Sequence, residues 1–115
     1  MDHDILIIGG GPAGLSTALH LQRIAPHLSS RVLILEKARY PRPKLCAGGL
    51  VLDAEIILQR LGLDVSEVPH VDSQEIKFEF QSKGFSFRVP KTHALRIIRR
   101  DEFDNWLARK AKNRG

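Results

Sequence analysis

Hydrophobic and polar positions divide the chain into short blocks with two different periods. Residues 4–8 (DILII) form an apolar run closed by glycine, the pattern of a strand buried on both faces. Pro12 then suits a first helical turn, where its missing N–H costs nothing. Gly14, Ala18, Leu21 and Ala25 recur near helical spacing, small residues first. Pro26 disfavours helical geometry at Ala25, which ends the helix there. After PHLSS comes RVLILE, a second apolar strand with Glu36 at its carboxyl end. Residues 1–36 thus form a βαβ unit whose strands are expected to be parallel, with a right-handed crossover.

The middle of the chain is less regular. Two prolines in YPRPK and the glycines of CAGGL make residues 37–50 a loop. DAEIILQRLGL (53–63) places apolar residues at 54, 57, 58 and 61, a short helix ended by Gly62. QEIKFEF (74–80) alternates Ile76, Phe78 and Phe80, and FSFRV (85–89) alternates Phe85, Phe87 and Val89. Residues 74–89 therefore predict an antiparallel hairpin with one buried face. Over 101–113, Asp101 is placed to cap a helix carrying Phe103, Trp106, Leu107 and Ala111 on one side. Phe103 and Trp106 are expected in its core.

Composition narrows the class. With 115 residues, 43% apolar and 27% charged, the chain has room for one modest globular domain. Its single cysteine, Cys46, excludes an internal disulfide framework and fits a reducing, cytoplasmic setting. No run approaches the roughly 20 apolar residues of a membrane span. Asp2 and Asp4 stand where a secretory signal carries positive charge. The net charge of +5 sits entirely in residues 91–115, which hold eight basic and three acidic residues. Such a tail attracts nucleic acid or an anionic membrane surface. No aromatic platform or nucleic-acid motif accompanies it, so nucleic acid is not an expected partner. His3, His20, His27, His70 and His93 lack metal-ligand spacing, and no metal is assigned.

The chemistry lies in the glycines. Gly9, Gly11 and Gly14 satisfy G-x-G-x-x-G, with a strand before and a helix after. The first permits a tight turn, the second lets a pyrophosphate approach the backbone, and the third lets helix and strand pack closely. A phosphate there faces unpaired N–H groups and the positive end of the helix dipole. Glu36 follows at the spacing of a carboxylate that hydrogen-bonds ribose hydroxyls, and it repels a 2′-phosphate. A glycine-rich turn beside a surface glutamate is the plainer reading, but strand, helix, Pro12 and Glu36 stand in register against it. The fold class is α/β: a Rossmann-like βαβ dinucleotide-binding unit with a small antiparallel β-hairpin and a C-terminal helix. Two parallel strands are few for a doubly wound sheet, so the domain reads as incomplete. Geometry leaves FAD and NAD open, since both carry an ADP moiety.

Resemblance favours FAD. IIGGGPAGLSTALHL with LILEK resembles the N-terminal fingerprint of two-dinucleotide-binding flavoproteins, which implies FAD held at Gly9, Gly11, Pro12, Ala13, Gly14, Glu36 and Lys37. YPRPKLCAGGL resembles the Pro-Arg-x-Lys-x-Cys-Gly-Gly segment of the geranylgeranyl reductase family, with Ala47 in place of the usual glycine. This implies that residues 37–63 form a flavin-side loop and short helix, with Gly48 at the cofactor. IIRRDEFDNWLARKA resembles an Arg-x-x-Phe-Asp-x-x-Leu segment of the same families, which places Arg100 against FAD. The implied activity is reduction of isoprenoid double bonds, by hydride transfer from reduced flavin and then protonation. A lipid substrate would bring peripheral membrane contact. Flavin monooxygenases and halogenases share the general plan and remain the alternative, as does a truncated, non-catalytic nucleotide-binding fragment. Family members run several times longer, so this chain alone is expected to be inactive. Cys46 falls on the flavin-facing loop by resemblance, although a lone cysteine more simply fills a small buried apolar space. Arg42 and Lys44 read as a solvated basic loop.

Overall fold

A computed structural model describes residues 2–115. In chain order its elements are β1 (Ile5–Ile8), α1 (Pro12–Ile24), β2 (Val32–Leu35), β3 (Gly49–Val51), α2 (Leu52–Arg60), β4 (His70–Ser73), β5 (Glu75–Phe80), β6 (Lys83–Arg88), β7 (Leu95–Ile98) and α3 (Arg100–Asn113). They form two compact units. One takes the chain up to Leu45 together with Arg100–Gly115, and the other is Cys46–Arg99.

The first unit holds the βαβ element. β1 and β2 pair in parallel, from Ile5 opposite Val32 to Ile8 opposite Leu35. Helix α1 starts with Pro12 in its first turn and stops at Ala25, the residue before Pro26. A 3-10 turn over Pro26–Arg31 leads into β2. Helix α1 buries Leu15, Ala18 and Leu19, while α3 buries Phe103, Leu107 and Ala111. Gln22 Nε2 donates to the Ala111 carbonyl at 2.8 Å, which ties the two helices together. Trp106 is only half-buried and stacks obliquely on Phe103, so the core of α3 is narrower than its apolar pattern implied.

The expectation of strands covered on both faces is not met within the chain. Leu6, Ile8 and Leu35 are exposed, because only one face of the two-stranded sheet carries helices of this chain. A parallel pair so bare belongs to an incomplete domain.

The second unit contains an antiparallel sheet ordered β3-β7-β4, which the irregular sequence there did not announce. Helix α2 ends where Gly62 adopts a left-handed φ of +73°, with Leu63 N–H returning to the Leu58 carbonyl at 2.9 Å. Leu58, Leu61, Leu63, Val65 and Val68 make its small core. Strands β5 and β6 form the expected antiparallel hairpin, with Ile76 opposite Phe87 and Phe78 opposite Phe85. Its apolar face is exposed rather than buried: Phe78, Phe80, Phe85 and Phe87 all stand open, with Phe78 stacked on Phe85 at 5.1 Å. Alternation correctly marked a strand with one apolar face, and nothing within this unit covers that face.

Candidate dinucleotide-binding site

The glycine turn follows β1 directly. Gly9 N–H donates to the Leu35 carbonyl at 2.8 Å, extending the parallel pairing by one residue, and its φ of +108° requires glycine. A methyl group on Gly14 would overlap the Gly9 carbonyl oxygen, so the third glycine is required by packing. Gly11 caps α1 in extended geometry, with no side chain bonded to the helix start. The first helical bond runs from Leu15 N–H to the Gly11 carbonyl at 3.0 Å. The N–H groups of Ala13 and Gly14 therefore precede the ladder and stand at the positive end of the helix dipole.

The loop after β2 closes onto this turn. Glu36 Oε2 accepts Gly10 N–H at 2.9 Å and an Arg42 N–H at 3.3 Å, and Oε1 accepts Ala38 N–H at 3.2 Å. The Gly10 bond is the largest influence holding the Glu36 carboxyl below its ordinary pKa. The Gly10 carbonyl in turn accepts the Tyr40 hydroxyl and a longer bond from Arg42. Burial, together with the nearby Glu36 charge, pushes the Tyr40 hydroxyl pKa up, keeping it a neutral donor. A side chain on Gly10 would collide with the Tyr40 hydroxyl, so Gly10 is required by packing, whereas a methyl group on Gly11 would meet only ordinary contacts.

Arg42 is not solvated. Its side chain is 10% exposed and pairs with Asp104 at 2.7 Å as well as with Glu36. Burial opposes its charge, and the two carboxylates outweigh that effect, raising its pKa above the ordinary arginine value. The basic loop was misread because Asp104, its counter-charge, lies far away in sequence. Lys44 is exposed.

An open groove of about 570 Å³ runs along Ile8, Gly9, Gly11, Leu35, Glu36 and Lys37. Its volume lies in the range of small-molecule and cofactor sites. A glycine floor, helix-start amides and a carboxylate at the end of β2 suit the diphosphate and ribose of a dinucleotide. Pro12, Ala13 and Gly14 form the first turn of α1 beside it, and Arg100 Nη2 lies 3.6 Å from where a Gly11 side chain would begin. Gly48 belongs to the other unit. There its φ of +78° and the bond from Ile98 N–H to its carbonyl, at 2.9 Å, give it a structural role. Cys46 is exposed rather than buried, and its Sγ accepts Gly48 N–H at 3.3 Å. Gly10, Tyr40 and Asp104 were missed in the sequence; only Asp104, four residues after Arg100 on a helix, left a readable spacing.

The fold is that of an α/β module of the dinucleotide-binding type, with a glycine turn between its first strand and helix. Residues 4–115 match the family described as FAD dependent oxidoreductase (DAO), and the chain belongs to it, with FAD as cofactor. It is 32% identical, over 122 aligned positions, to the "Probable electron transfer flavoprotein-ubiquinone oxidoreductase, mitochondrial" of Schizosaccharomyces pombe, covering 99% of this chain and 19% of that protein. Among solved structures, the flavin-dependent brominase Bmp2 superposes with a TM-score of 0.77 at 26% identity, over all of this chain and 28% of that one. A geranylgeranyl bacteriochlorophyll reductase-like protein from Thermoplasma acidophilum gives 0.76 at 23% identity, over 99% and 28%. The chain thus spans less than a third of the length of each. Among the described residues, no helix is long and apolar enough to cross a membrane, and no cluster of metal-ligating side chains occurs.

Proposed function

We propose that the chain is the segment of a flavin-dependent reductase that holds the AMP and diphosphate half of FAD, and that the reductase acts on isoprenoid double bonds of the geranylgeranyl type. The observation that carries the binding role is the clamped glycine turn, with Glu36 and the start of α1 on one groove. Gly9, Gly11, Pro12, Ala13 and Gly14 cradle the diphosphate, Glu36 and Lys37 face the ribose end, and Arg100 completes the contacts. When bound, FAD supplies the two-electron redox chemistry, and this chain's residues bind and orient it. The isoprenoid reading is supported by the YPRPKLCAGGL segment and by the reductase-like fold relative. A polyprenyl substrate partitions into lipid, so this reading includes peripheral contact with a membrane surface.

A flavin halogenase or monooxygenase is the second reading, favoured by the likeness to the brominase. The test uses the protein in which this chain operates, loaded with FAD and reduced under anaerobic conditions with a geranylgeranyl lipid. A product heavier by two hydrogens supports the reductase. Turnover that requires oxygen, or oxygen with bromide, overturns it.

A further inference from the structure

We infer that Asp104 is a positioning residue that aims the Arg42 and Arg100 guanidiniums at the diphosphate position beside Gly11; this rests on the binding role proposed above. The Asp104 side chain is wholly buried. Its Oδ2 accepts Arg42 Nη1 at 2.7 Å and Arg100 Nη2 at 3.1 Å, and its Oδ1 accepts Arg100 Nε at 2.9 Å. One carboxylate therefore grips the two guanidiniums, one from the loop after β2 and one from the first turn of α3. A buried carboxylate is costly unless fully paired, and here both of its oxygens are occupied by charged donors.

The consequence appears at Gly11. A methyl group there would sit 3.6 Å from Arg100 Nη2 and 4.0 Å from Arg42 Nη2, so both guanidiniums converge on the same open side of the glycine turn. With Glu36 and Asp104, the two arginines form a cluster with no net charge, so long-range attraction does not explain the arrangement. Direction does. Guanidinium donors held in a fixed fork bind phosphate oxygens by geometry as well as charge. Asp104 fixes that geometry without reaching the ligand itself.

The experiment measures FAD affinity by flavin fluorescence in the cofactor-stripped full protein, with ADP as a competing probe. Asp104→Asn keeps the side-chain shape and removes the charge. Both dissociation constants should rise about tenfold, as expected when an anchoring charge is lost from buried donors. In an Arg42→Ala/Arg100→Ala background, Asp104→Asn should add nothing further, because it acts through those side chains. An unchanged dissociation constant in Asp104→Asn, or a full additional loss in the arginine-free background, overturns the inference. If Asp104→Asn fails to fold, Arg42→Lys and Arg100→Lys replace it: each keeps a cation but breaks the fork, and unchanged affinity in both overturns the inference. Failure of the unaltered protein to bind FAD or ADP would instead sink the underlying binding role.

Discussion

Replacing Gly14 with alanine puts helix propensity and packing in direct opposition. Gly14 lies in α1, where alanine is favoured over glycine by about 1 kcal/mol. Propensity alone therefore predicts a more stable protein. The structure predicts the reverse, since the added methyl would overlap the Gly9 carbonyl oxygen and lie 3.2 Å from both Gly9 C and Ile7 Cγ2. The overlapped atom is backbone in a turn pinned by the Gly9–Leu35 bond, so it cannot swing aside. Overpacking of this kind costs about 1–3 kcal/mol. Subtracting the propensity gain leaves a net destabilisation of up to about 2 kcal/mol. For a domain near this size, that lowers the melting temperature by up to about 10 °C. Urea or thermal unfolding followed by circular dichroism reads the difference, with FAD absent so that linkage to ligand does not enter. A Gly14→Ala variant more stable than the parent would refute the close helix–strand contact.

Two further outcomes follow from the ionic groups. The Glu36 carboxyl is held below its ordinary value near 4.5, so its grip on Gly10 is fully present above that pH and is lost as pH falls through the lowered value. FAD affinity should therefore drop on acidification below about pH 4.5, and Glu36→Gln should weaken it about tenfold at neutral pH while flattening this acid limb; fluorescence titration across pH checks both. In the second unit, buried Glu55 accepts from His93 at 2.6 Å and faces Arg96 at 3.3 Å. Glu55→Ala should destabilise that unit by about 1–3 kcal/mol in urea unfolding, less than the loss of an isolated buried pair, because Asp72 still engages Arg96.

The legible parts of the molecule were those fixed by local rules. Pro12, Pro26 and the glycine spacing mark α1 and its turn because they act on backbone geometry within a few residues. Alternating phenylalanines mark the β5–β6 hairpin for the same reason. What escaped depends on partners distant in sequence. Strands β3, β4 and β7 are short, and only their mutual pairing makes them a sheet. Arg42 looked like a solvent residue because its carboxylate partner lies on α3. Tyr40 gave no signal, since its hydroxyl acts on the Gly10 carbonyl across the turn. Burial of the hairpin's apolar face was expected from period alone, and period does not say whether a covering layer exists.

The first unit is built from two stretches, with all of Cys46–Arg99 threaded between them. On an emerging polypeptide, the nucleotide cradle is therefore written early and finished late. Until Asp104 has been synthesised, Arg42 lacks this counter-ion, so a nascent chain cut before Arg100 would carry the phosphate signature without the partner that steadies it.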